Sequence, residues 1–224
     1  MESKEGRQAP PALQESDGGP AWQVVDLSQL ITTSMPVYPG TEPPGIEDAC
    51  TIERDGFAEK KLCFYSHTGT HVDAPGHILA GAPRLDDFSA GRFIGPGCAL
   101  DVSHCPSGRI EAAELEPHER RIAAAEFVLL YTGWARHWGE PRYFEDYPVL
   151  TEAAARWLAD FPLKGLGLDA ISVDAMNSVT LPVHRILFAR NLLAIENLTG
   201  LERLLGREFL FSCLPLKLEA GDGS

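Results

Sequence analysis

The sequence lacks any apolar run approaching the ~20 residues that cross a bilayer. Its first stretch, Met1 to Ala21, has no basic start followed by an apolar block. A soluble, unexported protein is therefore expected, with the cytoplasm as its compartment. Cysteine is sparse and unpatterned: Cys50, Cys63, Cys98, Cys105 and Cys213 form an odd set without a C-x-x-C pair. That excludes a disulfide framework and a thiolate zinc site, and fits a reducing compartment. Basic residues are also in deficit, with 19 Lys and Arg against 32 Asp and Glu for a formal charge of −13. Such a chain repels phosphate backbones and anionic lipid, which argues against nucleic acid or a membrane surface as partner. A G-x-S-x-G nucleophile turn and an H-E-x-x-H helix are missing as well, so serine hydrolases of that type and zincins drop out.

What is present is enough for one sizeable domain: 224 residues, 44% of them hydrophobic, against ~150 residues per domain. Residues 1–20 are rich in Pro, Gly and charge and cannot bury enough apolar surface to order themselves. They are expected to be a disordered leader, and residues 21–224 to be the domain. A short β-type run at 22–27 comes first. Met35-Pro36-Val37-Tyr38-Pro39-Gly40 follows, and its two prolines make it a rigid extended loop that holds Tyr38 between stiff neighbours. Beyond it, strand-length apolar runs at 97–102, 126–131, 165–169, 192–195 and 209–214 alternate with helix-like segments at 111–115, 151–158 and 184–190. This is the pattern of an α/β domain. The 151–158 segment opens on a capping Thr151, is filled with good helix formers and stops before Pro162. Gly221-Asp222-Gly223-Ser224 reads as a loop, with a C-terminal strand expected to be missing after it.

The densest polar cluster is His67-Thr68-Gly69-Thr70-His71-Val72-Asp73-Ala74-Pro75-Gly76-His77, with three histidines and one carboxylate in a short segment. Imidazole nitrogen and carboxylate oxygen bind zinc-like cations at ~2.0–2.2 Å, so the ligand atoms must converge closely. In a straight strand, His67 and His71 would stand ~13 Å apart at ~3.3 Å per residue. A helical turn or tight bend must therefore intervene, and Gly69 permits one. Asp73 and Pro75 then lead back toward extended chain. His77, beyond a proline, can approach such a cation from the side. Its imidazole titrates near neutrality, which suits a proton shuttle, with a further ligand as the competing reading.

A second polar pair, His184 and Glu196, sits in apolar surroundings where core residues are expected. A carboxylate there needs a cation, a donor or a metal to offset its burial, and pairing with Arg185 or Arg190 would serve equally. Spacing alone does not connect this pair to the first cluster. Gly165-Leu166-Gly167-Leu168-Asp169-Ala170 formally fits a dinucleotide fingerprint but leads into Ile171-Ser172-Val173-Asp174, a poor helix start. Trp22, Trp134, Trp138 and Trp157 read as core or pocket wall, since no basic residues interleave with them.

Together, H-T-G-T-H-V-D-A-P-G-H, the M-P-V-Y-P-G loop, Leu130-Tyr131-Thr132-Gly133-Trp134, Asp169 to Asp174, and His184 with Glu196-Asn197-Leu198 resemble the metal-dependent cyclase family. That family includes bacterial kynurenine formamidase and isatin hydrolase. The resemblance runs from about Val24 to Leu218 and implies a swivelling β/β/α single domain. It implies that His67, His71 and Asp73 bind a first divalent cation, and that Asp73 bridges to a second completed by His184 and Glu196. Zinc is the leading expectation and manganese the alternative. His77 falls on the family's catalytic histidine, and Tyr38 on a substrate-lining position where the formamidase pattern has Trp. The implied activity is hydrolysis of aryl formamides or related cyclic amides, as in tryptophan catabolism. Hydroxide generated at the cation would attack the carbonyl, with His77 moving the protons. An isatin hydrolase-like or lactonase-type reaction on another small carbonyl compound is the alternative. Relatives assemble as homodimers or homotetramers in which the N-terminal segment reaches a neighbouring subunit.

Overall fold

The structure, a computed structural model, describes residues 23–105 and 108–224. The expected leader over 1–20 lies outside the described residues. In chain order the strands are β1 (Gly45–Cys50), β2 (Glu59–Cys63), β3 (His71–Asp73), β4 (Ile94–Asp101), β5 (Arg109–Ile110), β6 (Phe127–Tyr131), β7 (Val149–Leu150), β8 (Gly165–Leu168), β9 (Leu193–Glu196) and β10 (Phe209–Ser212). The α-helices are α1 (Ile52–Asp55), α2 (Ala112–Leu115), α3 (Glu119–Ala123), α4 (Glu152–Leu158) and α5 (Pro182–Phe188).

A six-stranded mixed sheet in the order β10-β4-β6-β8-β9-β3 is the frame. Its four central strands run parallel, and β10 and β3 pair antiparallel at its two sides. The apolar runs 126–131 and 165–169 become β6 and β8. Phe127, Val128, Leu129 and Leu130 are all buried, because side chains alternating between two covered faces leave no solvent side. On one face Val128, Leu130, Leu166 and Leu168 pack with Leu115, Ala155, Leu158, Val183 and Leu187 from the helices. On the other, Phe127, Leu129 and Ile195 meet Val72, Leu198, Leu201 and Phe211. The architecture is the expected α/β domain. Trp134 is buried in the first of these clusters, with Trp138 and Trp157 packed against it. The five cysteines are free. Among the described residues, no helix is long and apolar enough to cross a membrane.

Several boundaries moved, each for a local reason. β4 starts at Ile94 because Ile94 to Gly97 pair with β10, and the same pairing ends β10 at Ser212. Helix α5 begins at Pro182 rather than 184, since proline's fixed φ suits a first helical position. The chain leaves the helical region at Asn191, with φ of 59°. Thr151 caps α4 as its sequence requires, accepting the Ala154 amide at 3.2 Å. The expected β-type run at 22–27 is corrected: its described residues from Gln23 onward lie in no strand. The Gly221 to Ser224 segment is also not a free loop. It lies along the outer edge of β3, with Val72 N donating to Ser224 O at 2.8 Å and Ala74 N to Asp222 O at 2.9 Å.

Candidate metal centre

The bend demanded by the histidine spacing is a tight turn rather than a helical one. Gly69 takes φ of 68° between His67 and His71, the left-handed region that glycine enters without a Cβ clash. The turn delivers His71 to the first position of β3, and antiparallel pairing sets it directly across from Glu196 at the end of β9. Asp73 follows two residues on, so its side chain points to the same face. The chain does not stay extended after Pro75. Pro75–His77 is a short 3-10 turn that folds His77 back until its ring lies 3.9 Å from that of His67, centroid to centroid.

Asp73 is the hub. Its Oδ1 lies 2.6 Å from His67 Nδ1 and 3.1 Å from His71 Nε2, and its Oδ2 lies 3.7 Å from His184 Nε2. Glu196 closes the other side, 3.3 Å from His184 Nε2 and 3.7 Å from His71 Nε2. Two donor triplets result, His67 with His71 and Asp73, and Asp73 with His184 and Glu196. The alternative of Glu196 pairing with an arginine is not what forms: Arg185 donates to Thr180 O, and Arg190 pairs with Asp160.

Each buried imidazole is aimed by a second bond. His71 Nδ1 donates to Gly69 O at 2.8 Å, and His184 Nδ1 bonds Asp174 Oδ2 at 2.8 Å, so both rings turn Nε2 toward the carboxylates. Imidazole ligands of metals are held this way, the second nitrogen fixing tautomer and orientation. Asn197 also donates to Gly69 O at 2.8 Å and accepts from Tyr143 OH at 2.7 Å. Asp174 and Asn197 went unrecognised in the sequence as parts of the site. The only signal was a polar residue inside an apolar stretch, which burial costs make unusual without a partner.

The electrostatics show how much the cluster needs positive charge. Burial opposes a charged His71, yet Asp73 and then Glu196 outweigh it and push the imidazole up to about 9. His184 is likewise raised well above its usual range, against burial, by Asp174, Asp73 and Glu196. Burial would raise Asp73, but the surrounding imidazoles, His71 foremost, hold its carboxyl well below the usual range. Burial lowers His77 instead. His67 Nε2 is buried without a hydrogen-bond partner. A set of imidazole nitrogens and carboxylate oxygens converging this closely has the donor chemistry of a divalent-cation site.

His77 also shares a third grouping with His67 and Asp222. Tyr38 is not drawn into the cluster. It is half exposed in its proline-flanked loop, near enough to Tyr147 to influence it electrostatically, and Tyr147 in turn donates to Asp174 O at 2.7 Å. A cavity of about 960 Å³ between Gln23 to Ser28 and β10 includes His71 alone among the donor residues, so it lies beside the cluster rather than over it. The dinucleotide-like segment is the strand β8 itself, and Asp169 is spent on Thr132 and Gly133, with its oxygens accepting their amides at 2.8 and 2.9 Å.

Residues 25–175 match the family model described as putative cyclase. The kynurenine formamidase of Bacillus mycoides is 31% identical over 204 residues, covering 90% of this chain and 94% of that protein. The kynurenine formamidase of Bacillus cytotoxicus is 29% identical over 201 residues, covering 89% and 93%. Isatin hydrolase A from Ralstonia solanacearum superposes with a TM-score of 0.80 at 25% identity, covering 90% of this chain and 89% of that one. A structure described as a potential metal-dependent hydrolase with cyclase activity superposes at 0.72 with 27% identity, covering 90% and 93%. The chain belongs to the cyclase family and has its swivelling β/β/α fold. The relatives named here are hydrolases.

Proposed function

We propose that the protein is a metal-dependent hydrolase of aryl formamides or closely related amides. One observation carries the reading: two donor triplets share Asp73, and a third kind of group, the burial-lowered imidazole of His77, stands against their edge. His67, His71 and Asp73 would hold one divalent cation, and Asp73, His184 and Glu196 a second, zinc first and manganese as the alternative. A cation there supplies Lewis acidity, lowering the pKa of a coordinated water and polarising a carbonyl oxygen.

The chain's own residues do the rest. The Gly69 carbonyl and Asp174 engage Nδ1 of His71 and His184, so that Nε2 of each ring, once it gives up its proton, would face a cation. His77, whose imidazole pKa burial lowers, accepts the proton released as the nucleophile adds and returns it to the departing nitrogen. An aryl amine leaves more readily than an alkyl amine, which favours anilides. Tyr38 would offer its ring to the aryl group from the loop. Tyrosine is shorter than the tryptophan of the formamidase pattern and carries a hydroxyl. That difference, with the likeness to isatin hydrolase A, supports a second reading, the opening of a cyclic amide. Assembly as a homodimer or homotetramer belongs to the same proposal, and sedimentation would count the copies.

The deciding experiment loads purified protein with zinc or manganese and assays N-formylkynurenine, formylated anilines and isatin side by side. Turnover of a formyl anilide supports the first reading, and turnover of isatin alone the second. A fully loaded protein that hydrolyses none of them overturns both.

A further inference from the structure

The segment paired to the outer edge of β3 does more than extend the sheet. Backbone bonds on either side of Gly223, Ala74 N to Asp222 O at 2.9 Å and Ser224 N to Val72 O at 3.1 Å, fix its register against the strand that carries His71 and Asp73. In that register Gly223 lies against His67 so closely that a Cβ would stand 2.4 Å from Cε1 of the ring. Only glycine fits such an approach. Asp222 then projects toward the two adjoining imidazoles of His67 and His77. Its Oδ2 is 3.5 Å from His67 Nε2 and 3.7 Å from His77 Nδ1, and its Oδ1 accepts the Ser66 hydroxyl at 3.0 Å. A serine from the strand-entry turn therefore holds the carboxylate from behind while it faces both rings.

We infer that Asp222 is a positioning residue for His77. Its negative charge, anchored by Ser66 and by the β3 pairing, faces the Nδ1 edge of His77 and favours the tautomer with the proton there. The Nε2 lone pair is thereby left free as the proton acceptor. At 3.7 Å the carboxylate acts on the ring as a facing charge rather than as a hydrogen-bond acceptor, and it is supplied from a part of the chain 145 residues away from His77. This rests on the proton-shuttle role proposed above for His77. It does not require Asp222 to touch substrate or cation.

Four zinc-loaded proteins test it: wild type, Asp222→Asn, His77→Ala and the double variant. Asp222→Asn is expected to keep its zinc content and KM while kcat falls roughly 10–100-fold, by analogy with the loss of partners that orient metal-binding histidines. In the His77→Ala background the same change should cost nothing further. Independently of any substrate, ¹⁵N shifts of the His77 ring should move from the Nδ1–H toward the Nε2–H tautomer in Asp222→Asn. Ser66→Ala, which loosens the carboxylate without removing its charge, should shift both readouts the same way but less, and serves if Asp222→Asn does not fold. Loss of zinc in Asp222→Asn would make the residue a ligand and overturn the inference. So would an unchanged tautomer, or equal losses with and without His77. If wild type hydrolyses no tested substrate, the proposed activity fails, while the ring shifts still decide the role of Asp222.

Discussion

Asp174 holds His184 twice over. Its Oδ2 accepts the backbone amide of His184 at 3.0 Å and bonds the Nδ1 of the same residue at 2.8 Å. Its Oδ1 takes the Val183 amide at 3.0 Å, so one carboxylate caps the start of α5 and sets the ring that α5 carries. Helix position and imidazole orientation are thus locked together through a residue eight positions ahead of the helix.

Asp174→Ala should therefore weaken divalent cation binding by roughly 10–100-fold, the scale seen when the partner behind a metal-bound imidazole is removed. Loss of the cap should cost about 1 kcal/mol in addition. Zinc titration by calorimetry and a denaturant melt measure the two separately. Unchanged affinity would show that the helix alone suffices to aim His184.

His77→Ala should behave in the opposite way. The donor triplets remain complete without it, so cation content by elemental analysis should match wild type, while kcat drops by roughly 10²–10⁴. If the variant instead loses a cation, His77 is a ligand. If it retains turnover, another group carries the proton.

Acidity should govern loading. In the cation-free protein the His71 imidazole is raised from 6.5 to about 9. The stability its charge contributes is fully present below pH 6.5 and fades as pH rises through about 9. A cation needs the neutral ring, so binding should release protons and tighten with rising pH across the same window. Calorimetry in buffers of different ionisation enthalpy reads the proton count directly. Binding without proton release would contradict this electrostatic picture.

Asn197→Ala should destabilise the fold by about 1–3 kcal/mol, because it strands the buried Tyr143 hydroxyl and removes a donor from Gly69 O. Tyr143→Phe should cost less, since it leaves only the Asn197 amide oxygen without its donor. A lower denaturant midpoint with an unchanged slope is the expected signature.

What could be read from the chain before folding depended on how local each cause was. β6 and β8 were visible because burial on both faces makes their sequences continuously apolar, and α4 because Thr151 and Pro162 bracket it. His67, His71 and Asp73 declared themselves by crowding. The hairpin of β1 and β2 was not visible: β2 is exposed along its whole length, and a charged Glu59-Lys60-Lys61 run gives no hydrophobic alternation to detect. The three-residue β3 was equally hidden, since it is fixed by pairing with β9 and with Asp222 to Ser224 on its other side. The links from Asp174 to His184, from Asn197 to Gly69 and from Asp222 to His77 span ten or more residues and exist only once the sheet is assembled.

The sharing of Asp73 has a consequence for occupancy. Its Oδ1 faces His67 and His71 and its Oδ2 faces His184, so a cation in one of the proposed positions would draw on the same unit of charge as a cation in the other. Two cations held there would therefore be thermodynamically linked: whatever factor the first imposed on the affinity of the second, the second would impose on the first. With the Asp73 charge shared between them, that linkage would run toward negative cooperativity. A tightly held and a readily exchanged ion would then coexist in one centre.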